Sequence, residues 1–172
     1  MDGNIKEYFT SPISELDVAK YGFAVGDNAG QQVWEALAIL VAVDRWTAHW
    51  NRQRIILKVK GDNVTALVLL IKMRPKTGED GSSKLAIVAR ELALRLVDLS
   101  FPPDAEHTPG MGHVFADLLS RVDAPAANKG LGGILPPDAH PAMLTSTRVM
   151  TPARDDDWYK VKKSARPWQK GE

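Results

Sequence analysis

The stretch that most restricts the fold is Arg54 to Leu70, RIILKVKGDNVTALVLL. Ile55, Ile56, Leu57 and Val59 make a short, β-branched apolar run closed by Gly61, the pattern of a buried central strand. Asp62 follows where a helix N-cap belongs, with a side-chain oxygen able to accept free amide hydrogens. A helix then continues from Asn63 to Ile71, with Val64, Leu67, Val68 and Ile71 on one face. A strand that passes into a helix across an acid is α/β grammar, and it delivers one carboxylate to a sheet edge. Asp62 is either a cap or a functional acid, and the other carboxylates bear on which.

The elements around this stretch have the same character. Ile5 to Thr10 mixes apolar and polar residues as a strand on a sheet does, after the turn-forming pair Asp2-Gly3. Ser11 to Gly30 is polar and turn-rich, and Ser14 to Asp17 can nucleate a short helical turn. Gln31 to His49 reads as a long helix capped by Asp27 or Asn28, apolar nearly all round from Ala36 to Val43 and so sandwiched between a sheet and another helix. Glu35 lies in it among Trp34, Ala36 and Leu37, where it faces solvent or else needs a charge, a metal or water to meet it. Arg74 to Ser83 is a loop by composition, and Lys84 to Leu99 is a second long helix whose stripe of Leu85, Val88, Leu92 and Leu96 is expected to cover the sheet. Asp104 to Pro109 supplies a last short strand or an extended arm. A helix from about Met111 to Val122 then carries His113 and Asp117, four residues apart on one side, with Arg121 four further on. An ordinary helical ion pair accounts for that spacing as well as a site does.

Beyond Val122 the composition shifts. Asp123 to Pro152 is rich in Pro, Ala and Gly without an apolar period, and Arg154 to Glu172 interleaves basic residues with Trp158, Tyr159 and Trp168. The division expected is a domain over 1–122 and a Pro/Gly-rich linker with a basic-aromatic tail over 123–172, contributing little to the core. Such a tail can hold a nucleic-acid backbone and stack on its bases, or lie solvated.

Composition excludes several classes. The 172 residues, 44% of them hydrophobic, suffice for one core. With 22 basic against 21 acidic residues no global field marks a nucleic-acid binder, so any basic footprint is local. The absence of cysteine removes disulfides and thiolate metal sites. Neither a membrane span nor a signal peptide is visible, and an intracellular protein of cytoplasm or nucleus is expected.

The order strand, helix with Glu35, strand ending in Asp62, two helices, last helix with Asp117, together with the strings WEALA, GDNVTAL, HTPG and ADLLSR, resembles the ribonuclease H domain of retroelement polyproteins over about Asp2 to Arg121. The resemblance implies a mixed five-stranded sheet flanked by helices and an active site that holds two Mg2+ ions, or Mn2+ in their place, between four carboxylates. Glu35 matches the helix-borne glutamate, Asp62 the aspartate at the end of the fourth strand, and Asp117 the aspartate of the last helix. His113 stands where these domains often carry Asn or His, and is assigned to assist proton transfer. Hard Mg2+ takes oxygen ligands, and two ions about 4 Å apart can hold both reacting oxygens of a phosphodiester. The three acids are therefore expected within roughly 8 Å of one another. Asn63, Lys58, Lys60, Lys84 and Arg121 are the candidate contacts to nucleic acid.

The fourth carboxylate is the departure. In the family it lies on a first strand ahead of the hairpin that here begins at Met1-Asp2-Gly3; Asp2 matches a turn and Asp27 precedes a helix, so neither replaces it. The expectation is a ribonuclease H-like α/β fold lacking its first strand or strands, either a piece of a longer polyprotein or a decayed domain. Two functions follow from the resemblance: hydrolysis of the RNA strand of an RNA-DNA hybrid, doubtful in this truncated chain, or a non-catalytic module that binds nucleic acid or connects to the reverse transcriptase domain of the same polyprotein. A plain α/β domain whose acids are caps and surface pairs is the third reading.

Overall fold

A computed structural model describes residues 7–50, 54–73, 82–97, 101–109, 116, 119, 146–151 and 153–159. The first element is a two-residue strand, β1 (Glu7–Tyr8), followed by the helix α1 (Glu15–Tyr21). The stretch around Ser14 reads in sequence chiefly as a connecting loop in which Ser14 to Asp17 can nucleate a turn; it is instead a full seven-residue helix. Its start is a capping box: Asp17 N–H donates to the Ser14 hydroxyl at 3.2 Å while the Asp17 carboxylate accepts from Ser14 N–H at 2.7 Å. Its end is Gly22 at φ +74, a left-handed conformation that costs glycine nothing and lets its N–H reach the Val18 carbonyl.

Asp27 caps a 3-10 turn, Asn28–Gly30, that leads into the 20-residue helix α2 (Gln31–Trp50). Val33, Ala36, Leu37, Leu40, Val41 and Val43 are buried along it. Two more helices, α3 (Val64–Lys72) and α4 (Ser82–Leu96), supply its main partners. On α4 the buried residues are Leu85, Val88, Ala89, Leu92 and Leu96, the expected stripe. α2 was expected between a sheet and another helix, and α4 is a helix packed on it; the expectation that α4 covers the sheet is corrected, since α4 lays its stripe chiefly on α2 and touches α3 as well. A ring of three- and four-spaced apolar side chains fits a helix groove as readily as a sheet face.

The helix pair is also tied by charge. Arg95 of α4 donates from Nε to Asp44 of α2 at 2.9 Å and from Nη1 to Glu91 at 2.8 Å. Glu91 is buried, so its partner is what makes its burial tolerable.

The strands are few and short. β2 (Lys58–Gly61) and β3 (Asp104–His107) pair in parallel, Lys58 opposite Asp104 and Gly61 opposite His107. β2 begins three residues later than the apolar run predicts. It alternates exposed and half-buried, and Ile56 just before it is 57% exposed. The expected buried central strand is therefore corrected to a strand covered on one face, with Leu57 and Val59 packed on the core. The second pairing joins β1, also in parallel, to β4 (Thr147–Arg148). The described residues thus form a mixed α/β fold with two separate two-stranded parallel sheets.

The largest difference from the sequence reading lies after residue 145. The tail was expected to leave the core alone; instead β4 extends β1, and a single helical turn, α5 (Asp156–Tyr159), puts Trp158 and Tyr159 into the core cluster beside Tyr21 and Leu92. Four residues are too short to display a period, so pattern alone gives no sign of this docking. Residues 110–115 and 120–145 lie outside the described residues. Among the described residues no helix is long and apolar enough to cross a membrane.

Candidate functional site

The carboxyl ends of β2 and β3 define the place. The parallel ladder runs through Gly61 opposite His107, and Thr108 N–H adds a bond to the Gly61 carbonyl at 2.9 Å. The backbone thus stays committed to the sheet until Asp62, and the helix starts one residue later than the sequence suggests. Asn63 is the N-cap of α3, with φ −95 and ψ 103, and its Oδ1 accepts from Ala66 N–H at 3.0 Å. This corrects one assignment: the cap of α3 is Asn63 and not Asp62.

Asp62 is left exposed, and among the described residues its carboxylate has neither a hydrogen bond nor an ion pair. Glu35 of α2 faces it. Burial pushes the Glu35 carboxyl above its ordinary value, and the negative charge of Asp62 pushes it further in the same direction. Two acids predicted from separate elements therefore act on each other across the fold. The third, Asp117, lies outside the described residues, as do His113 and Arg121. Only Ala116 and Leu119 are described in that stretch, and both are helical.

The basic candidates do not gather around the acids. Lys60 pairs across the strands with Glu106 at 2.9 Å, and Lys58 stands opposite Asp104 in the same ladder. The exposed face of the two strands alternates in sign and is close to neutral, which weakens it as a phosphate track. Lys84 is placed elsewhere: its ammonium donates to the Lys20 carbonyl at 3.3 Å, at the end of α1. Its task there is to meet a helix C-terminus.

His107, which the sequence placed in a last strand or arm and in the HTPG string without giving it a role, is a further polar group here. Its Nε2 lies 3.1 Å from the Asp62 carbonyl oxygen, which puts an imidazole beside Asp62 at the strand ends. Its position at the end of the last strand, level with the strand that ends in Asp62, was the available signal, because ligands of parallel sheets gather beyond carboxyl strand ends.

Among the described residues no group of three His, Asp or Glu side chains could hold a metal ion. Glu35 and Asp62 nonetheless suit a hard cation: both offer oxygen, they repel each other, and no described cation neutralises either. No family model, no curated protein and no solved structure matches the chain.

Proposed function

We propose that the chain is a ribonuclease H-like domain of a retroelement, whose intact form hydrolyses the RNA strand of an RNA-DNA hybrid with Mg2+ or Mn2+. The observation that supports this reading is that the charge of Asp62, just past the end of β2, raises the carboxyl of Glu35 on α2. Neither residue is spent on the fold among the described residues: the helix has its cap in Asn63, and neither carboxylate has a salt-bridge partner there. Glu35 and Asp62 would hold the cation, with Asp117 as the matched third acid and His113 assisting proton transfer. The bound cation would supply Lewis-acid polarisation of the phosphodiester and a more acidic water.

The chain's own residues set the conditions for this. The ladder at Gly61 and His107 holds Asp62 just past the strand end, and Glu35 on α2 lies near enough for the Asp62 charge to raise it. A raised Glu35 would hold its proton longer in the absence of a cation and would give it up on binding one.

Calorimetric titration with Mg2+ and with Mn2+ tests the reading, beside Glu35→Gln and Asp62→Asn and with a labelled hybrid as substrate. Cation binding lost in both variants, with any cleavage lost alongside, supports the proposal. Hybrid binding that ignores the cation and both substitutions favours the non-catalytic binding module. Neither cation nor hybrid binding would overturn both.

A further inference from the structure

The segment 146–159 is held the way a bound peptide is held. Its first part adds a parallel strand to β1, with Val149 N–H donating to the Tyr8 carbonyl at 2.8 Å. Its second part is an anchor. Arg154 Nε lies 3.0 and 3.1 Å from the two Asp17 oxygens, and its Nη2 donates to Oδ2 at 2.7 Å, a planar two-pronged grip on a carboxylate with no exposed surface. The remaining Arg154 nitrogen bonds Ser11, and the Tyr159 hydroxyl donates to the same Asp17. Trp158 stacks under Arg95, with 5.1 Å from guanidinium to ring, and donates from Nε1 to Asp44 at 3.1 Å. Lys20 covers the Tyr159 ring at 4.4 Å. Strand addition followed by a charged and an aromatic anchor is a recurring mode of peptide recognition.

The receiving groups have partners with or without this segment. Asp17 keeps its capping-box bonds to Ser14 N–H and hydroxyl at 2.7 and 2.8 Å, and on the first turn of α1 it would otherwise meet water. Asp44 keeps Arg95. No buried charge is stranded by departure of the segment, so docked and undocked states are both chemically sound.

We infer that the β1 edge and the Asp17 well form a peptide receptor specific for an extended strand followed by Arg-x3-Trp-Tyr, occupied here by the chain's own residues 146–159 as an exchangeable latch. The specificity resides in chemistry that few segments satisfy together: a guanidinium for a buried carboxylate, a hydroxyl for the same carboxylate, and an indole for Asp44. A Lys in place of Arg154 offers a point charge without the planar fork.

The test uses the full chain with its latch disabled by Arg154→Ala and Trp158→Ala, and a fluorescent peptide of residues 146–159 as probe. The peptide is expected to bind this chain saturably, at least tenfold more tightly than it binds the unaltered chain, whose receptor is filled. Adding Asp17→Asn to the receiving chain, or Arg154→Ala to the peptide, is expected to remove the binding. Equal binding by all chains, or none by the disabled one, would overturn the inference. Loss of the helical signal of the disabled chain would overturn it as well, because the segment would then be part of the fold rather than its ligand. Hydrogen exchange on the unaltered chain gives a second measure: the amides of Trp158 and Tyr159 should open faster than those of Leu40 and Val41. Equal rates would count against a latch.

Discussion

Substituting Arg154 by Ala gives the most informative stability measurement. The Asp17 and Arg154 side chains are 0% and 6% exposed, so solvent screening takes little from their interaction. Removing one partner of a buried pair costs about 3–5 kcal/mol. For a chain of this length that corresponds to a fall in melting temperature of about 6–20 °C. Trp158→Ala carries a comparable cost, about 3–5 kcal/mol for a buried tryptophan whose indole also bonds Asp44. If the segment releases as a unit, however, neither loss can exceed its free energy of docking, since the undocked chain returns Asp17 to water. The double variant should then be no less stable than the weaker single one. Urea melts of the four proteins, followed by circular dichroism, measure this. Costs that add within about 0.5 kcal/mol would refute the reasoning, because independent sites add and a common release does not. The pH dependence supplies a second check. Asp17 is the most deeply buried carboxylate; burial raises its value, but the bonds from Arg154, Tyr159 and Ser14 outweigh this and leave it below its ordinary 3.8. The stability it contributes is present above that value and lost as pH falls through its lower value in the folded protein, so the penalty of Arg154→Ala should shrink in strong acid.

Four further outcomes follow from the site and the caps. Asp62→Asn should bring the Glu35 carboxyl down toward its ordinary 4.5, although not all the way, since burial is the larger cause; carboxyl NMR titration reads this, and no movement would mean the two acids are not neighbours. The same raised carboxyl should make the folded state most favoured with Glu35 protonated, an advantage lost as pH rises through its folded value and diminished by Asp62→Asn. Asn63→Ala should cost about 1 kcal/mol in a urea melt by removing the α3 cap, whereas Asp62→Ala should cost measurably less; the reverse order would restore Asp62 as the cap. Gly22→Ala should cost about 1–2 kcal/mol, for φ is +74 there with no other atom close by, and a neutral result would show that α1 ends differently in solution.

What the sequence by itself determined is local. The apolar stripe of α4, the extent of α2, the acid between strand and helix, and the Ser14 turn all follow from spacing and capping chemistry within a few residues. Even there the error at Asp62 is instructive: both Asp62 and Asn63 can cap, and the ladder of β2 with β3, formed by residues more than forty positions away, decided for Asn63. Which faces meet was not legible at all. A helix stripe specifies that it will be buried and not what will bury it, so α4 settled on α2 rather than on a sheet. Arg154 and Asp17 are 137 positions apart, and nothing in either neighbourhood announces the other. Trp158 and Tyr159 read as part of a tail that either stacks on nucleic-acid bases or lies solvated with loosely docked tryptophans, because one helical turn has no period; the tertiary structure instead offers them a buried carboxylate and a stacking guanidinium. The pairing of Glu35 with Asp62 is of the same kind: the sequence nominates the acids, and only the tertiary structure brings the Asp62 charge near enough to raise the Glu35 carboxyl.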